Sequence, residues 1–486
     1  MALPNELWGH IFLHLDYPSI LRCKGVCRGF NNIITESAEI QYHGELAMDG
    51  MLDTGTSSLS VKDRLALLRE RRSAWDNLQW KLFPPQDIPG AYLAYNFVGG
   101  IFGIVQDDNV FTAMTLPTTT SEGSKKSHQL DFAPRNFAMD PTQDVVIFLA
   151  EITMQVLRYH LIFSMAPHPH SESPRILVHP EERPQECVIQ IIDDIFALAC
   201  STEDDTELWI RIWNWKSGER IHERILTGPD ARADSFTLLS SKAFLIGVAS
   251  GSGYIGIWNL DSGTEVSRLC FPELIAGELE DAAVDASPYF AQPWPDGVFM
   301  TSPEKRIHVF SLSYWEDEAE ISLRAHVLNE LLLSYAKPPT INLSLDPVQV
   351  RWEDWGPRNT RVLLIDSSND DVRSLAHSSF SDGLRTLLPL VDGESYLHIL
   401  DFNFPRKLAE NTKTPESSAA STTFRDPTTI SYPQLFRTDI ITSLPYTMHK
   451  RVFPLADSYP DVLLSERHII AVLDDVDPAQ IHTMAI

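Results

Sequence analysis

The feature that most constrains the fold of this chain is a nine-residue pattern, Ile-x-Ile-Trp-Asn-x-x-Ser-Gly, that occurs twice. It runs from Ile210 to Gly218 and again from Ile255 to Gly263, an offset of 45 residues (255 against 210). Alternating β-branched residues ending in Trp, followed by Asn and Ser-Gly, describe a strand that enters a tight turn. A period near 45 is too long for one hairpin and fits a unit of four short antiparallel strands. Short apolar runs separated by Gly, Pro, Asp and Ser recur through the same region: Tyr92 to Val98, Ile101 to Val105, Val145 to Leu149, Val188 to Ile192, Ile195 to Cys200 and Phe244 to Ala249. From Phe83-Pro84-Pro85 onward the chain therefore reads as all-β.

The two copies resemble WD repeats, with Asn214 and Asn259 standing where that family has Asp. The resemblance implies a β-propeller, in which each repeat supplies one blade. Weaker echoes occur at Val156 to Leu161, Ile307 to Leu312 and Leu397 to Phe402, and Val362 to Asp366 is expected to belong to a blade between the last two. Roughly 400 residues at about 45 per blade give six to eight blades, and seven are expected. The runs Val462 to Leu464 and Ile469 to Leu473 are expected to close the ring. Closure removes an open sheet edge that would otherwise pair with another chain. Thr118 to Ser127, Pro167 to Pro174 and Asn411 to Thr423 read as polar surface insertions, the last carrying a Thr414-Pro415 pair open to phosphorylation.

The first 82 residues have a different period. Leu7, Ile11 and Leu15 recur every four residues, with Trp8 and Phe12 on the adjacent stripe, which predicts a helix from about Glu6 to Leu15. Asp16-Tyr17-Pro18 breaks it, and Ser19 is placed to cap a second stretch carrying Ile20, Leu21, Val26, Cys27, Phe30, Ile33 and Ile34, interrupted at Gly25 and Gly29. So small a bundle cannot bury all of this surface, so part of it is expected to meet a partner. Glu36 to Leu52 is helix-compatible, and a helix is expected from about Ser60 to Trp80. In it Val61, Leu65 and Leu68 share a face with Trp75, and the arginines between Arg64 and Arg72 form a solvated face.

Leu3-Pro4, Glu6-Leu7, Ile11, Leu15, Leu21, Val26-Cys27-Arg28 and Phe30 resemble an F-box, with Phe30 where the family usually has Trp. The resemblance covers about a tenth of the chain and rests on about ten positions in register. It implies docking to a Skp-type adaptor, and through it to a cullin, with Leu3, Pro4, Leu7, Ile11, Leu15, Leu21, Val26 and Phe30 as the adaptor-binding residues. The expected architecture is multidomain, α plus all-β: an F-box helical module over residues 1–50, a helical linker over 51–82 and a β-propeller over 83–486.

With 39 basic and 66 acidic side chains the net charge is -27, which repels phosphate backbones and anionic headgroups, so neither nucleic acid nor membrane is expected as a partner. The 43% hydrophobic content supports a real core. Five scattered cysteines suit a reducing compartment, cytoplasmic or nuclear, and Cys23 and Cys27 read as a packed core pair rather than the start of a metal site. Gly251 to Gly256 spells GxGxxG but precedes a strand, so it reads as a hairpin turn and not a dinucleotide site. His168-Pro169-His170, His222-Glu223 and the acidic runs at Glu203, Asp366 and Asp474 lack the spacing of a metal site. No nucleophile elbow and no P-loop occur. No catalytic, cofactor or metal residues are expected. The expected function is substrate recognition in an SCF-type ubiquitin ligase, the propeller holding an unidentified protein target. A non-ligase F-box scaffold is the alternative, and a propeller enzyme would need paired carboxylates of raised pKa at the channel.

Overall fold

The structure is a computed structural model. It describes the chain apart from residues 1–2, 89, 120, 152–154, 161–167, 170–174, 178–185, 203–205, 229–231, 291, 293–296, 317–318, 339–345, 366–379, 391–394, 404–419, 456–459 and 474–477. The three acidic runs, Thr414-Pro415, and most of the insertions expected at 167–174 and 411–423 lie outside the described residues.

Seven antiparallel sheets of at least four strands follow one another along the chain. Blade 1 spans residues 92–129, blade 2 134–177, blade 3 186–227, blade 4 236–270, blade 5 278–365, blade 6 381–452 and blade 7 461–485. Each blade packs both its faces on neighbours, so its middle strands read as unbroken apolar runs rather than alternating ones. Val145–Ala150, Ile195–Ser201, Ala243–Val248 and His468–Leu473 are buried at every position. The core is accordingly divided into seven apolar clusters, one in each interface between successive blades, the last joining blade 7 to blade 1. Ring closure is completed from the N-terminal side: Lys81–Leu82 pairs with Met484 and Ala485, and Gln86–Ile88 with Ala479 to Ile481. Blade 7 therefore takes its outer edge from the far end of the chain.

The sequence repeat marks the third strands of blades 3 and 4, Glu207–Asn214 and Tyr254–Asn259. Trp213 lies opposite Phe196 and stacks on it at 4.9 Å, and Trp258 does the same on Phe244 at 5.3 Å. Asn214 Oδ1 accepts from the Lys216 and Ser217 amides, and Asn259 Oδ1 from Ser262. The Asn side chain thus closes the turn through its carbonyl oxygen alone. Gly251 (φ 64°) and Gly253 (φ 76°) form the expected hairpin turn between the second and third strands of blade 4.

Two echoes are out of phase. Ile307–Glu316 is the second strand of blade 5, not its third, so Phe310 does not occupy the Trp position. Val362 lies in Thr360–Ile365, the outer strand of that same blade, and no further blade stands between it and blade 6. Blade 5 is long because a helical insertion separates its last two strands: Asn329–Tyr335, then Val348–Val350, which pairs in parallel with the outer strand of blade 4, then Trp352–Asn359. A repeat period fails as a guide wherever an insertion of this size enters a blade. The polar stretch Thr118 to Ser127 also runs into a strand, Ser124–Gln129, the exposed outer edge of blade 1.

Blades approach closely at Gly247, where a methyl group would come within 2.2 Å of the Ala282 carbonyl oxygen of blade 5. Backbone cannot yield as a flexible side chain does. Gly247→Ala is expected to cost about 1–3 kcal/mol, read as a lower urea midpoint; an unchanged midpoint would contradict the interface described.

Candidate docking face and its coupling to the ring

Four helices build the N-terminal module: α1 (Asn5–Leu13), α2 (Tyr17–Val26), α3 (Arg28–Glu36) and α4 (Ala38–Asp49). The second helix starts earlier than expected. Asp16, not Ser19, is its N-cap, with Oδ1 accepting from the Ser19 amide at 2.9 Å, and Pro18 falls in the first turn, where its missing N–H costs nothing. The break between α2 and α3 falls at Cys27, whose Sγ accepts from the Phe30 amide at 3.4 Å. Cys27 is exposed and Cys23 half-buried, so the pair is not a core pair; Cys27 serves as a helix cap.

The two apolar stripes of α1 have opposite fates. Trp8 and Phe12 turn inward and meet Phe30 at 4.5 and 5.1 Å between ring centroids, in a cluster with Ile20, Ile34 and Ile40. Leu7 and Ile11 turn outward, 47% and 40% exposed. On α2, Ile20 is buried while Leu21 is 42% and Val26 68% exposed. Of the eight residues singled out by sequence, Leu3, Pro4, Leu7, Ile11, Leu21 and Val26 stand in solvent, whereas Leu15 and Phe30 are half-buried in the module's own core. An apolar side chain held open to water on a helix already packed on its other side is available surface, not unfinished core.

This module is fastened to the ring at two places. Met51–Asp53 pairs antiparallel with Phe299–Thr301 from the blade 5 connection, and Thr54 Oγ1 donates to the Gly297 carbonyl at 2.6 Å. The second fastening is α5 (Val61–Asp76), opened by Ser60, whose Oγ accepts from the Asp63 amide at 3.3 Å. Leu65 and Leu68 pack with Tyr42, Leu46, Met51 and Phe299, and Val61 lies against them. Trp75, at the other end, is 2% exposed and enters the cluster between blades 6 and 7, with Nε1 donating to the Glu466 carbonyl at 3.1 Å and the Arg385 guanidinium over its ring at 4.4 Å. Leu78 (φ 45°), fully buried, then turns the chain into the closing strand.

The arginines of α5 form the solvated face expected only at Arg69; Arg64, Arg71 and Arg72 are part-buried, and all four are paired. Arg72 forks onto Asp49, Nε to Oδ1 at 3.0 Å and Nη2 to Oδ2 at 2.9 Å; Arg69 pairs with Glu45 at 3.1 Å, Arg71 with Glu466 at 3.3 Å and Arg64 with Asp53. Their partners lie on α4, the Met51–Asp53 strand and blade 7, none of which helical periodicity could reveal. The bidentate, part-buried Arg72–Asp49 pair fixes orientation better than exposed pairs do.

Asp382 lies near the same junction, where burial, with Glu466 nearby, pushes its carboxyl from 3.8 up to about 7. A folded-state value above the unfolded one means stability that is complete below 3.8 and is lost as pH rises through about 7. Asp382→Asn imitates the protonated acid. It is expected to leave the urea midpoint nearly unchanged at about pH 3.5 and to raise it at about pH 8; equal effects at both would contradict the shift.

Inner strands of blades 1 to 5 line a cavity of about 560 Å³ on the ring axis. Asp140 is satisfied there by Thr142 and Gln143, and the buried Asp285, pushed up to about 7 by burial, by Ser381. Burial and the adjacent Asp281 and Glu186 carry Asp234 up to about 7, and burial raises Asp281 as well. Of these two carboxyls Asp234 lines the cavity and Asp281 does not, so a pair facing the channel is not formed by them. His168 is buried, edge-on to Trp215 at 5.0 Å, with Nε2 3.2 Å from the Gln143 carbonyl. Among the described residues, Asp76, Asp401 and His449 bring metal-ligating atoms within 4.8 Å of one another, but a cation there would meet Arg385, whose Nε is 3.6 Å from Asp401.

Residues 1–39 match the family model of the F-box domain. No curated protein matches the chain. Solved structures similar to it include the WD40 domain of SCAP from fission yeast, at 9% identity over 82% of this chain and 82% of that one, with a TM-score of 0.38. Another is the β-propeller domain of Myceliophteria thermophila Cps50 (Swd1), at 9% identity over 84% of this chain and 99% of that one, with a TM-score of 0.40. Among the described residues no helix is long and apolar enough to cross a membrane. The chain therefore carries an F-box domain match at residues 1–39, followed by a seven-bladed β-propeller.

Proposed function

We propose that the chain is the substrate-recognition subunit of an SCF-type ubiquitin ligase acting in the cytoplasm or nucleus. The observation that carries this reading is the outward apolar set Leu3, Pro4, Leu7, Ile11, Leu21 and Val26 on a module whose own core is already filled by Trp8, Phe12 and Phe30. That set is the adaptor-binding face, and Leu15 and Phe30 support it from behind. The proposed division is an F-box helical module over residues 1–50, a linker over 51–82 and a propeller over 83–486, with Lys81–Leu82 shared between linker and ring. The propeller holds a protein target, and the chain does no bond chemistry of its own. Its contribution is proximity: strand pairing at Met51–Asp53 and the wedge at Trp75 hold target and adaptor in one geometry, which raises the effective concentration of a substrate lysine near a charged conjugating enzyme.

Affinity purification of the tagged chain from cells is expected to recover a Skp-type adaptor and a cullin together. Recovery of the adaptor without cullin, where other F-box proteins recover both, would favour the scaffold reading. Asp234, in the cavity wall with its carboxyl raised by burial, favours a second reading, a catalytic propeller. A glycoside-hydrolysing activity abolished by Asp234→Asn would establish it.

A further inference from the structure

Two of the five cysteines, thirteen positions apart in sequence, meet in the apolar interface between blades 2 and 3, beside the central cavity. Cys187 on the inner strand of blade 3 lies directly opposite Cys200 on the next strand, and their Sγ atoms are 3.1 Å apart. Directly opposed residues of an antiparallel pair have Cα atoms about 4.5–5.5 Å apart, inside the range that a disulfide spans. Closing the sulfurs to about 2.05 Å therefore needs side-chain rotation and no strand movement. Cys187 is among the residues lining the cavity, which is large enough to admit a small hydroperoxide, while Cys200 stands behind it on the second strand.

The surroundings divide the labour between the two. The hydrogen bond from Cys200 and the guanidinium of Arg135 on blade 2 draw the Cys187 thiol below its usual value, against burial and the nearby Glu186 carboxylate. The same hydrogen bond, together with burial, raises Cys200 well above its own. One sulfur is thus poised as nucleophile, and the other keeps a proton to give up later.

We propose that Cys187 and Cys200 form a peroxide-responsive dithiol, a modification site in the interface of blades 2 and 3 that Cys187 opens to the cavity. The Cys187 thiolate attacks one oxygen of the hydroperoxide and the O–O bond breaks. Cys187 becomes a sulfenic acid, and with a proton from solvent the leaving oxygen departs as water, or as an alcohol from an organic peroxide. The Cys200 sulfur then attacks the sulfenic sulfur; the S–O bond breaks, and the hydroxide leaves as water with the Cys200 proton. Two thiols are oxidised by two electrons, one peroxide is reduced, and the product is a disulfide that ties the inner strand of blade 3 to its neighbour. Reversible pairs of this kind suit a reducing compartment, where lasting disulfides are rare.

The test uses the folded full-length chain, treated with hydrogen peroxide, blocked with N-ethylmaleimide and digested without reductant. A Cys187–Cys200 linked peptide, lost on treatment with dithiothreitol, is the expected result in mass spectra. Cys200→Ser should show no link and instead a dimedone adduct at Cys187, the trapped sulfenic acid, whereas Cys187→Ser should show neither link nor adduct at position 200. The exposed Cys27 provides an internal standard. Oxidation of Cys27 with Cys187 and Cys200 both still blocked by N-ethylmaleimide would overturn the proposal, as would a link that forms only after denaturation in urea. The wild-type measurement alone decides it if either variant fails to fold.

Discussion

Leu7→Asp and Leu21→Asp are each expected to weaken capture of a purified Skp-type adaptor by more than about a hundredfold while leaving the urea midpoint of the propeller unchanged. The two side chains lie on different helices and are 47% and 42% exposed, so an aspartate at either position meets water in the free protein and disturbs no packing. In the complex the same carboxylate would enter an apolar contact. Stripping a carboxylate of water without a partner costs at least several kcal/mol, and about 2.7 kcal/mol already corresponds to a hundredfold in affinity. Phe12→Asp makes the contrast: Phe12 is 1% exposed at the centre of the module, and its replacement should unfold the module itself. Isothermal titration with the adaptor, beside circular dichroism of each variant, separates the two outcomes. Unchanged affinity in both leucine variants would refute the assignment of the face.

Trp75→Ala is expected to lower stability by about 3–5 kcal/mol, the usual range for emptying a buried aromatic site. The indole fills space between blades 6 and 7, so its removal leaves a cavity at an interface that must stay shut for the ring to remain closed. It also takes a donor from the Glu466 carbonyl and a ring from beneath Arg385. Its position gives the variant a second consequence. Once the C-terminal half of α5 is no longer held, the stretch from Asn77 to Pro85 should become a site of limited proteolysis. Adaptor binding, for which the proposed face is at the far end of the module, should persist. A urea midpoint indistinguishable from wild type would show that α5 merely lies on the ring.

Much of the architecture was legible because its code is local. Unbroken apolar runs of six or seven residues with turn residues at each end specify strands buried on both faces, and an Asn followed by Ser-Gly specifies the turn after Trp213 or Trp258 whichever blade holds it. The same local code misled at blade 5. Phe310 lies in an apolar run like any other, and nothing near it says whether it is a second or a third strand; the 287–306 connection ahead of it, which carries Phe299–Thr301, shifts its count, and the helical insertion before Thr360 shifts that of Val362. The F-box positions were legible as a set, but not which of them face outward. Leu7, Ile11 and Leu15 share one stripe of an ideal helix, yet α1 ends at Leu13, and Leu15 falls back into the cluster around Phe12.

The chain alone therefore determined its patterns: a period of four residues in the first helices, short unbroken apolar runs in the strands, about forty-five residues in the repeat, and with them a helical module ahead of a ring of blades. Tertiary structure decided everything that depends on which distant segments meet. It turned Trp8 and Phe12 inward and left Leu7 and Ile11 in water, carried Trp75 between blades 6 and 7, matched the α5 arginines to Asp49, Glu45 and Glu466, and brought Cys187 to Cys200 in the interface of blades 2 and 3. The physical reason is range. Propensity and periodicity act over a few residues, whereas which apolar run covers which is chosen by the free energy of the whole assembled ring.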